Sequence, residues 1–452
     1  MYEEILTMLQ NKEFVKLRST LSEMDAPDIA AMMEEIPQEY VSRLFRVLPK
    51  ELAAETFVEM QPDMQEHLIS SFSDKELHDV LDEMYLDDTV DMIEEMPANV
   101  VKRILRQTDT EMRSEINKIL KYPKDSAGSI MTIEYVDLKM NMTVAQAFDR
   151  IRATGVDKET IYTCYVTDAN RHLLGITTVK DLLLNDRDTK IGDMMETNVK
   201  FVDTNEDKEE VAMLFRKYDF LAMPVVDGET RLVGIITFDD VIDVIQDENT
   251  EDIEKMAAML PSEKPYLKTS VFDTYKKRIP WLLLLMISAT FTGKIIASFE
   301  NTLSACVALT AFIPMLMDTG GNSGGQSSVT IIRSLSLNDI GYRDIFKILR
   351  KEFFVALMCG ISLAAANFVK MLIVDRGTII SSGQDPVAVA LVVSLTLIAC
   401  VVCAKLIGCT LPIAAKRVGF DPAVMASPFI TTIVDAISLM IYFQIAIHIL
   451  KF

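Results

Sequence analysis

The chain has 452 residues, half of them hydrophobic, and its 66 acidic and 45 basic side chains give a formal net charge of −21. This hydrophobic content excludes a mainly disordered chain. So negative a charge argues against a general nucleic-acid binder, because phosphate contacts need surplus Lys and Arg. The charge is uneven, with −26 in the first 272 residues and +5 in the remainder. We therefore expect an acidic soluble part followed by an apolar, slightly basic part.

Residues 1–123 contain short amphipathic segments that repeat about every twelve residues. Residues favoured at helix starts, either proline in the first turn or a Ser/Asp cap, precede these segments; they are Pro37, Pro49, Pro62, Ser73, Pro97 and Asp109. No such segment can bury its apolar face alone. The pattern predicts an α-helical, superhelical N-terminal domain of stacked repeats.

Residues 124–246 contain a duplicated unit, which we divide into domains at 124–186 and 187–246. The segment 165–181 matches 224–240 at an offset of 59, and each copy is typical of strand, polar turn, strand and helix. This pair resembles tandem CBS domains, α/β sensor modules of many transporters and enzymes. Each copy has a Gly-Ile-x-Thr-x-x-Asp pattern, which in that family often binds a nucleotide ribose. The resemblance therefore makes ATP a candidate ligand of four residues, Thr178, Asp181, Thr237 and Asp240.

Residues 247–279 are charged and are expected to form a connecting helix. Residues 280–452 are expected to form an all-α, polytopic membrane domain of five helices, because most of its apolar segments approach the ~20 residues that cross a bilayer. These segments are 280–299, 302–317, 352–374, 386–408 and 423–450. Lipid is then a partner of this domain.

Loop charges predict the orientation of the membrane domain. Ten basic residues flank the spans on the side of the soluble part, whereas only Arg376 and Lys451 lie on the other side. Positive charge accumulates in cytoplasmic loops. We expect a cytosolic N-terminus, an outer C-terminus and, since Met1-Tyr-Glu-Glu4 begins no basic and apolar leader, no cleaved signal.

The second segment, 302–317, covers only ~24 Å at helical rise and continues into Asp318-Thr-Gly-Gly-Asn-Ser-Gly-Gly-Gln326. Four glycines disfavour a continuous helix. We therefore expect a broken helix whose free carbonyls and amides contact an ion. A plain cytoplasmic loop after a short span is the alternative.

Asp435 lies near the middle of the fifth segment, where a carboxylate needs water, a cation or a proton. Lys294, Lys370 and Lys405 are expected instead to extend to the membrane surface. Pro428, with the threonines one turn on, is expected to loosen the fifth helix. Oxygen ligands favour Mg²⁺ or Ca²⁺, and a sparse site suits Mg²⁺ better. A protonated Asp435 bonded to another helix is the alternative.

Over essentially its whole length the chain resembles the MgtE family of magnesium channels. The most specific motifs are Pro314 followed by Gly320-Gly-Asn-Ser-Gly-Gly-Gln326, and Asp421-Pro422 leading to Pro428-x-x-Thr-x-x-x-Asp435. The resemblance implies a homodimer, with no other protein partner indicated, whose pore runs between the second and fifth spans. It implies that Asp435 binds Mg²⁺ there and that the pore is lined by Gly320, Gly321, Asn322, Pro428 and Thr431. Ser427 departs from the family motif, which has an amide side chain at that position.

The resemblance also implies a gate, in which cytosolic Mg²⁺ binds acidic residues and holds a closed form. The matching residues are Asp87, Asp91, Asp207, Glu209, Asp219, Asp240, Asp243, Glu248, Glu251, Asp252 and Asp421. Electrostatics supports this independently, because divalent cations screen the self-repulsion of an acidic domain. Several weak sites together reach the ~5.5 kcal/mol that a full switch requires.

Other functions are open at this point. The transported ion is alternatively Mn²⁺, Co²⁺ or Ca²⁺, and the chain is alternatively a nucleotide-sensing membrane protein regulated through its CBS domains. A membrane-anchored enzyme is not expected, because the spans contain no His/Glu zinc motif and no base beside a nucleophile.

Overall fold

The computed structural model describes residues 2–262, 266–267, 269–425 and 427–450. The chain forms two compact units, Met1–Ile245 and Gln246–Phe452. Short helices and two small sheets make up the first unit, and long helices make up the second.

The first unit begins with ten short helices among the described residues. They are α1 Tyr2–Gln10, α2 Phe14–Leu21, α3 Ala26–Glu35, α4 Gln38–Phe45, α5 Lys50–Val58, α6 Pro62–Ser71, α7 Asp74–Leu81, α8 Leu86–Glu95, α9 Ala98–Gln107 and α10 Thr110–Ile119. All six predicted starts are confirmed. Ser73 and Glu76 form a capping box at α7, and Asp109 accepts a hydrogen bond from the Met112 amide at α10.

These helices share one hydrophobic core. Helices of this length are marginal in isolation, so their stability comes from packing. Fully buried Leu17, Met33, Leu44, Phe57 and Leu68 belong to the same cluster, although they come from five different helices. The α-helical N-terminal part of the fold class is confirmed.

Two similar α/β modules follow in the first unit. Their elements are β1 Tyr135–Leu138, α11 Val144–Thr154, β2 Thr160–Thr167, β3 Leu173–Thr178, α12 Val179–Leu184, α13 Ile191–Met194, β4 Val202–Asp203, α14 Lys208–Tyr218, β5 Ala222–Val226, β6 Leu232–Thr237 and α15 Phe238–Met256. The sheets have the orders β1-β2-β3 and β4-β5-β6, each with one parallel and one antiparallel pair. The predicted strand, turn, strand and helix order is confirmed in both.

The glycine of each duplicated motif lies where the backbone of another segment approaches. A Cβ on Gly175 would lie 2.7 Å from the Glu196 carbonyl oxygen, and one on Gly234 would lie 2.7 Å from that of Thr132. The residues beside these glycines form the bridges Ile176–Glu196 and Ile235–Thr132. The motif therefore has a structural reason for its glycine.

The second unit is helical. After the end of α15 it contains α16 Val271–Ser298, α17 Glu300–Ala305, α18 Ile313–Ser336, α19 Ile345–Ile373, α20 Arg376–Ser381, α21 Pro386–Val418 and α22 Ser427–Leu450. In the described part of the chain, four helices are long and apolar enough to cross a membrane, within Val271–Ser298, Tyr342–Ile373, Pro386–Val418 and Pro422–Leu450. The apolar helical region of the predicted fold class is confirmed.

Three details differ from the sequence predictions. A continuous connecting helix over 247–279 is wrong, because α15 ends at Met256 and Ala258 has the positive φ of 55° that terminates a helix. The segment 302–317 is not one helix, since it contains the end of α17, a 3₁₀ turn at Val307–Phe312 and the start of α18. The helix is also not broken at its glycines, because α18 runs through all of them.

The prediction for Lys405 is also wrong. Its side chain does not extend to the membrane surface, because the residue is only 5% exposed and its ammonium group donates a hydrogen bond to Ser327. Lys294 is exposed, as expected, and Lys370 forms an ion pair with Asp375.

Candidate ion pathway and regulatory carboxylates

Helices α18 and α22 make direct contact along the glycine-rich stretch of α18. A Cβ on Gly320 would lie 2.9 Å from Val434 Cγ1, and a Cβ on Gly324 would lie 2.8 Å from Ile430 Cγ2. A step of four residues up α18 therefore corresponds to a step of four down α22, so the two helices are antiparallel. Small residues permit such close approach of membrane helices. This packing, with glycine removing the side-chain bulk, explains why α18 remains continuous.

The two faces of α18 have opposite character. One face is buried and consists largely of glycine and serine, including Gly320, Gly321, Ser323, Gly324, Gly325, Ser327 and Ser328. Asp318, Asn322 and Gln326 are exposed at intervals of four residues, which places them along the opposite face. An uncovered polar face is unfavourable in lipid, since its groups lose their hydrogen bonds with water.

Asp435 lies on α22 beside this polar face. Its neighbour Val434 packs on Gly320, which places Asp435 at a level between Asp318 and Asn322 on α18. Asp435 is half-buried, and the charge of Asp318 acts on it. Sequence reasoning did not assign Asp318 to the site. The sequence signal for including Asp318 was its spacing of four residues from Asn322 and eight residues from Gln326.

The other predicted pore residues are distributed over both faces. Asn322 lies on the exposed face of α18, whereas Gly320 and Gly321 lie on the packed face. The Thr431 hydroxyl donates a hydrogen bond of 2.9 Å to the Pro428 carbonyl. Pro428 does not loosen the helix, contrary to prediction, because it lies in the first turn of α22, where its missing N–H breaks no helical bond. The Ser427 side chain lies outside the described part of the structure.

The first unit contains a buried group of carboxylates around Asp87 and Asp240. Burial, reinforced by Asp240, raises the pKa of Asp87 and also raises the pKa of Asp91 to about 7. Burial raises the pKa of Asp240 to about 6. The same combination of burial and Asp240 raises the pKa of Asp88 to about 6 and that of Glu159 to about 8. We call these five residues the carboxylate cluster, and their mutual repulsion opposes the ionisation of all of them at once.

Two members of this carboxylate cluster, Asp88 and Glu159, were missed by sequence reasoning. Asp88 directly follows the predicted residue Asp87, so its position beside Asp87 on α8 could be read from the sequence. Glu159 precedes β2, and one of its carboxylate oxygens is buried with no hydrogen-bond partner in the described structure. No local sequence signal connects it with α8, because only the fold brings these segments together.

The remaining predicted acids of the first unit lie elsewhere or at the edge of the cluster. Asp207 caps α14 by accepting a hydrogen bond of 2.8 Å from the Glu209 amide, and Asp219 ends the same helix in a left-handed conformation. Asp243 lies one turn after Asp240 on α15, and the negative charge of Asp243 contributes to the raised pKa of Asp240. The charges that act on Asp87 are instead those of Asp240, Asp88 and Glu159.

In the second unit, the C-terminal end of α15 contacts the end of α18 and the loop before α22. Lys255 forms ion pairs with Asp421 at 2.7 Å and with Glu251 at 2.6 Å. Asp252 accepts a hydrogen bond of 3.2 Å from Ser336, and burial, followed by the charge of Asp421, raises the pKa of Asp252. Glu248, one turn before Glu251 and Asp252, lies on the same helix. These predicted residues therefore share one end of α15 with a lysine.

Among the described residues, no group of three or more His, Cys, Asp or Glu side chains is placed to hold a metal ion. The carboxylates of the cluster are close enough to influence one another, but they do not form a finished coordination shell. Mg²⁺ retains several of its waters and needs few direct ligands, so an open arrangement of this kind suits it.

The Thr-x-x-Asp residues of the duplicated motif cap helices. At α12 the Thr178 hydroxyl accepts a hydrogen bond from the Asp181 amide, and the Asp181 carboxylate accepts bonds from the amide and hydroxyl of Thr178. Asp240 accepts the equivalent bonds from Thr237 at α15. Helix capping alone is enough reason for this pattern. The expectation of nucleotide binding at these four residues stays a prediction.

Family models match most of the chain. The model described as "Divalent cation transporter" matches residues 313–445, the "MgtE intracellular N domain" matches 3–125, and the "CBS domain" matches 127–187 and 191–247. The first of these matches contains both α18 and α22.

Two curated relatives are similar over nearly their full lengths, and both are named magnesium transporter MgtE. The protein of Thermus thermophilus is 35% identical over 97% of this chain and 96% of its own length. The protein of Bacillus subtilis is 30% identical over 98% of this chain and 96% of its own length.

Two solved structures resemble the part of the chain that precedes the long helices. The cytosolic domain of the Mg²⁺ channel MgtE in complex with ATP has a TM-score of 0.52 and 35% identity, covering 54% of this chain and 100% of that one. The soluble part of a magnesium transporter has a TM-score of 0.52 and 32% identity, covering 55% of this chain and 97% of that one.

Proposed function

Because the chain belongs to the MgtE family of divalent cation transporters, a family of transporters and not of enzymes, we propose that it carries Mg²⁺ across a cytoplasmic membrane. The observation that carries this proposal is the exposed polar face of α18 beside Asp435. A carboxylate and a polar helix face at this position need water or ions, because lipid cannot satisfy them.

The ligand set favours Mg²⁺ over softer ions. The described groups beside Asp435 are carboxylate and amide side chains of α18 and hydroxyls of α22, all of which are oxygen donors of the kind that hard cations prefer. Few carboxylates face one another here, which suits an ion that keeps its hydration waters. Mn²⁺, Co²⁺ and Ca²⁺ are the alternative cargoes, and competition of each ion against Mg²⁺ uptake separates them.

A homodimer accounts for the uncovered face of α18. When two copies place this face against its counterpart, Asp318, Asn322 and Gln326 surround an aqueous path and no longer meet lipid. The distribution of basic loop residues supports a cytosolic N-terminus and an outer C-terminus.

Cytosolic Mg²⁺ regulates this transport in our proposal. The carboxylate cluster of the first unit repels itself when empty, so bound cations stabilise the arrangement that brings its members together. Asp240 lies on α15, and the same helix reaches Lys255, which is paired with Asp421 before α22. Cation binding near the start of α15 is therefore connected through one helix to the loop that precedes the candidate pathway.

A second ligand of the first unit is supported by one solved relative. The cytosolic domain that resembles this chain at 35% identity was solved with ATP. We propose that ATP binds the CBS modules here, with the residues Thr178, Asp181, Thr237 and Asp240 as candidates. Calorimetry with ATP on the purified protein tests this, and Asp181→Ala is the variant expected to weaken the binding.

Uptake into proteoliposomes tests the transport proposal. Asp435→Ala is expected to abolish Mg²⁺-dependent fluorescence of an enclosed dye, because the pathway then lacks its central carboxylate. Asp339→Ala is the matched control, since Asp339 is an exposed acid outside the site. Normal uptake by a folded Asp435→Ala protein would refute the assigned pathway, and absence of uptake by the unaltered protein would refute Mg²⁺ transport.

A further inference from the structure

Three helices of the second unit meet at charged and polar side chains outside the candidate pathway, two of which are buried. Lys405 of α21 is 5% exposed, and its ammonium group donates a hydrogen bond of 3.3 Å to the Ser327 hydroxyl of α18. Ser327 is 2% exposed and donates a hydrogen bond of 2.6 Å to the carboxylate of Glu352, on α19. The Ser327 hydroxyl thus links a buried cation to a carboxylate on a third helix. We call these three residues the bridge.

The bridge is costly unless its charges compensate each other. A buried ion is unfavourable in an apolar helical region, and removing one partner leaves an uncompensated charge. Lys405 lies within the apolar helix α21, and the preceding residues Cys400, Val401 and Ala404 of the same helix are also buried. Hydrophobic packing within an apolar helix does not require a lysine at this position, and the side chain is too buried to be solvated. Its presence therefore needs an explanation other than ordinary packing.

The bridge lies directly behind the polar face of α18. Ser327 adjoins Gln326, which is the last of the exposed polar residues in the glycine-rich stretch, but its own side chain is on the packed face. One turn earlier, a Cβ on Gly408 of α21 would overlap the carbonyl group of Gly324. Helices α18 and α21 are thus in backbone contact beside the bridge, which fixes their relative axial position.

An uncompensated charge at this position acts on the candidate pathway. The side chains on the two faces of a helix are separated by about one helix diameter, roughly 10 Å. At that distance, and at an effective dielectric constant of about 20, a single positive charge lowers the occupancy of a divalent cation by about tenfold or more. A net cation behind α18 therefore opposes the entry of Mg²⁺, whereas a neutralised one does not.

We propose that Glu352 and Ser327 neutralise Lys405 and that this bridge positions α18 for cation passage. This inference rests on the proposed transport function and assigns positioning residues for it, since none of the three side chains lies on the exposed polar face. Lys405 ties α21 to α18, Ser327 ties α18 to α19, and Glu352 supplies the negative charge that balances the lysine. Lys405 and Glu352 act as a pair, because the carboxylate serves only to balance the charge of the lysine.

Charge variants in proteoliposomes test the bridge. Glu352→Gln keeps the shape of the side chain but leaves Lys405 uncompensated, so the initial rate of Mg²⁺ uptake is expected to fall by about tenfold or more. Lys405→Met with Glu352→Gln removes both charges and is expected to recover most of the lost rate. A purely structural role predicts the opposite, with the double variant at least as impaired as Glu352→Gln, since it lacks more bonds. Lys351→Gln, the same loss of one charge at the exposed neighbouring residue, is the matched control.

Each outcome decides the inference. Recovery in the double variant supports it, whereas wild-type uptake by folded Glu352→Gln, or a folded double variant that stays impaired, overturns it. If Glu352→Gln does not accumulate as folded protein, the double variant is compared with the unaltered protein. Uptake close to that of the unaltered protein supports compensation, and a loss of about tenfold or more overturns it. If the unaltered protein shows no uptake, the transport proposal itself fails, which distinguishes that failure from the failure of the bridge.

Discussion

Binding of Mg²⁺ to the carboxylate cluster of the first unit is expected to release protons. Burial holds the pKa of Glu159 at about 8, that of Asp91 at about 7 and those of Asp88 and Asp240 at about 6. At pH 7 Glu159 is then mostly protonated and Asp91 about half protonated, and Asp87 adds to the total because its pKa is also raised. A cation that ionises the whole cluster displaces about two protons at pH 7.

Calorimetric titration of the full-length protein with Mg²⁺ measures this release. The apparent binding enthalpy is compared in two buffers of different ionisation enthalpy at pH 7, and the difference gives the number of protons. Glu159→Gln with Asp91→Asn is expected to lower the number by more than half, since these two residues hold most of the protons. Asp28→Asn is the control, because Asp28 is an exposed acid of α3 that belongs neither to the cluster nor to the predicted regulatory residues. A buffer-independent enthalpy for a protein that binds Mg²⁺ would contradict the reasoning.

The same pKa shifts give a sign for stability against pH. The folded-state pKa values of these carboxyls lie above their ordinary values, so the unfolded chain releases its protons first as the pH rises. The free energy of unfolding of the Mg²⁺-free protein is therefore expected to fall between about pH 4 and pH 8. Saturating Mg²⁺ is expected to flatten this fall, because it stabilises the ionised cluster. Thermal unfolding at several pH values, with and without Mg²⁺, measures both effects.

Three further variants test individual contacts. Asp318→Asn is expected to lower Mg²⁺ uptake several-fold without abolishing it, since Asp435 remains, and unchanged uptake would remove Asp318 from the site. Gly321→Ala is expected to lower the free energy of unfolding by about 1–3 kcal/mol, because its Cβ would lie 2.8 Å from Thr431 Cγ2; a thermal midpoint equal to that of the unaltered protein would contradict this packing. Thr178→Val is expected to cost about 1 kcal/mol through loss of the α12 cap, and chemical unfolding of the purified protein checks the change.

The sequence predicted those parts of the fold that local chemistry determines. Helix starts at Ser73 and Asp109 could be predicted because capping depends on a few adjacent residues. The duplicated modules could be predicted because their strands and turns repeat. Glu159 could not be assigned to the carboxylate cluster, because its neighbours lie on α8 and α15, far away along the chain.

Two errors of interpretation in the membrane part have one cause. Glycine lowers intrinsic helix propensity, and a lysine near a span end commonly reaches the membrane surface, so both local expectations were reasonable. Tertiary packing overrides both. Gly324 lies against α21 and α22, and Lys405 finds a polar partner in Ser327 on the neighbouring helix. Such partners are invisible until the arrangement of the helices is known.

Neither face of α18 is rich in hydrophobic side chains. This explains why α18 is not among the helices that are apolar enough to cross a membrane. Its glycines and serines give up hydrophobic side chains so that α21 and α22 can approach its backbone. Asp318, Asn322 and Gln326 on its other face replace hydrophobic side chains with groups that need water. A helix with neither face suited to lipid is stable in a membrane only when helices cover one face and water or a second copy covers the other. The low hydropathy of α18 is thus itself an argument for the candidate pathway along this helix.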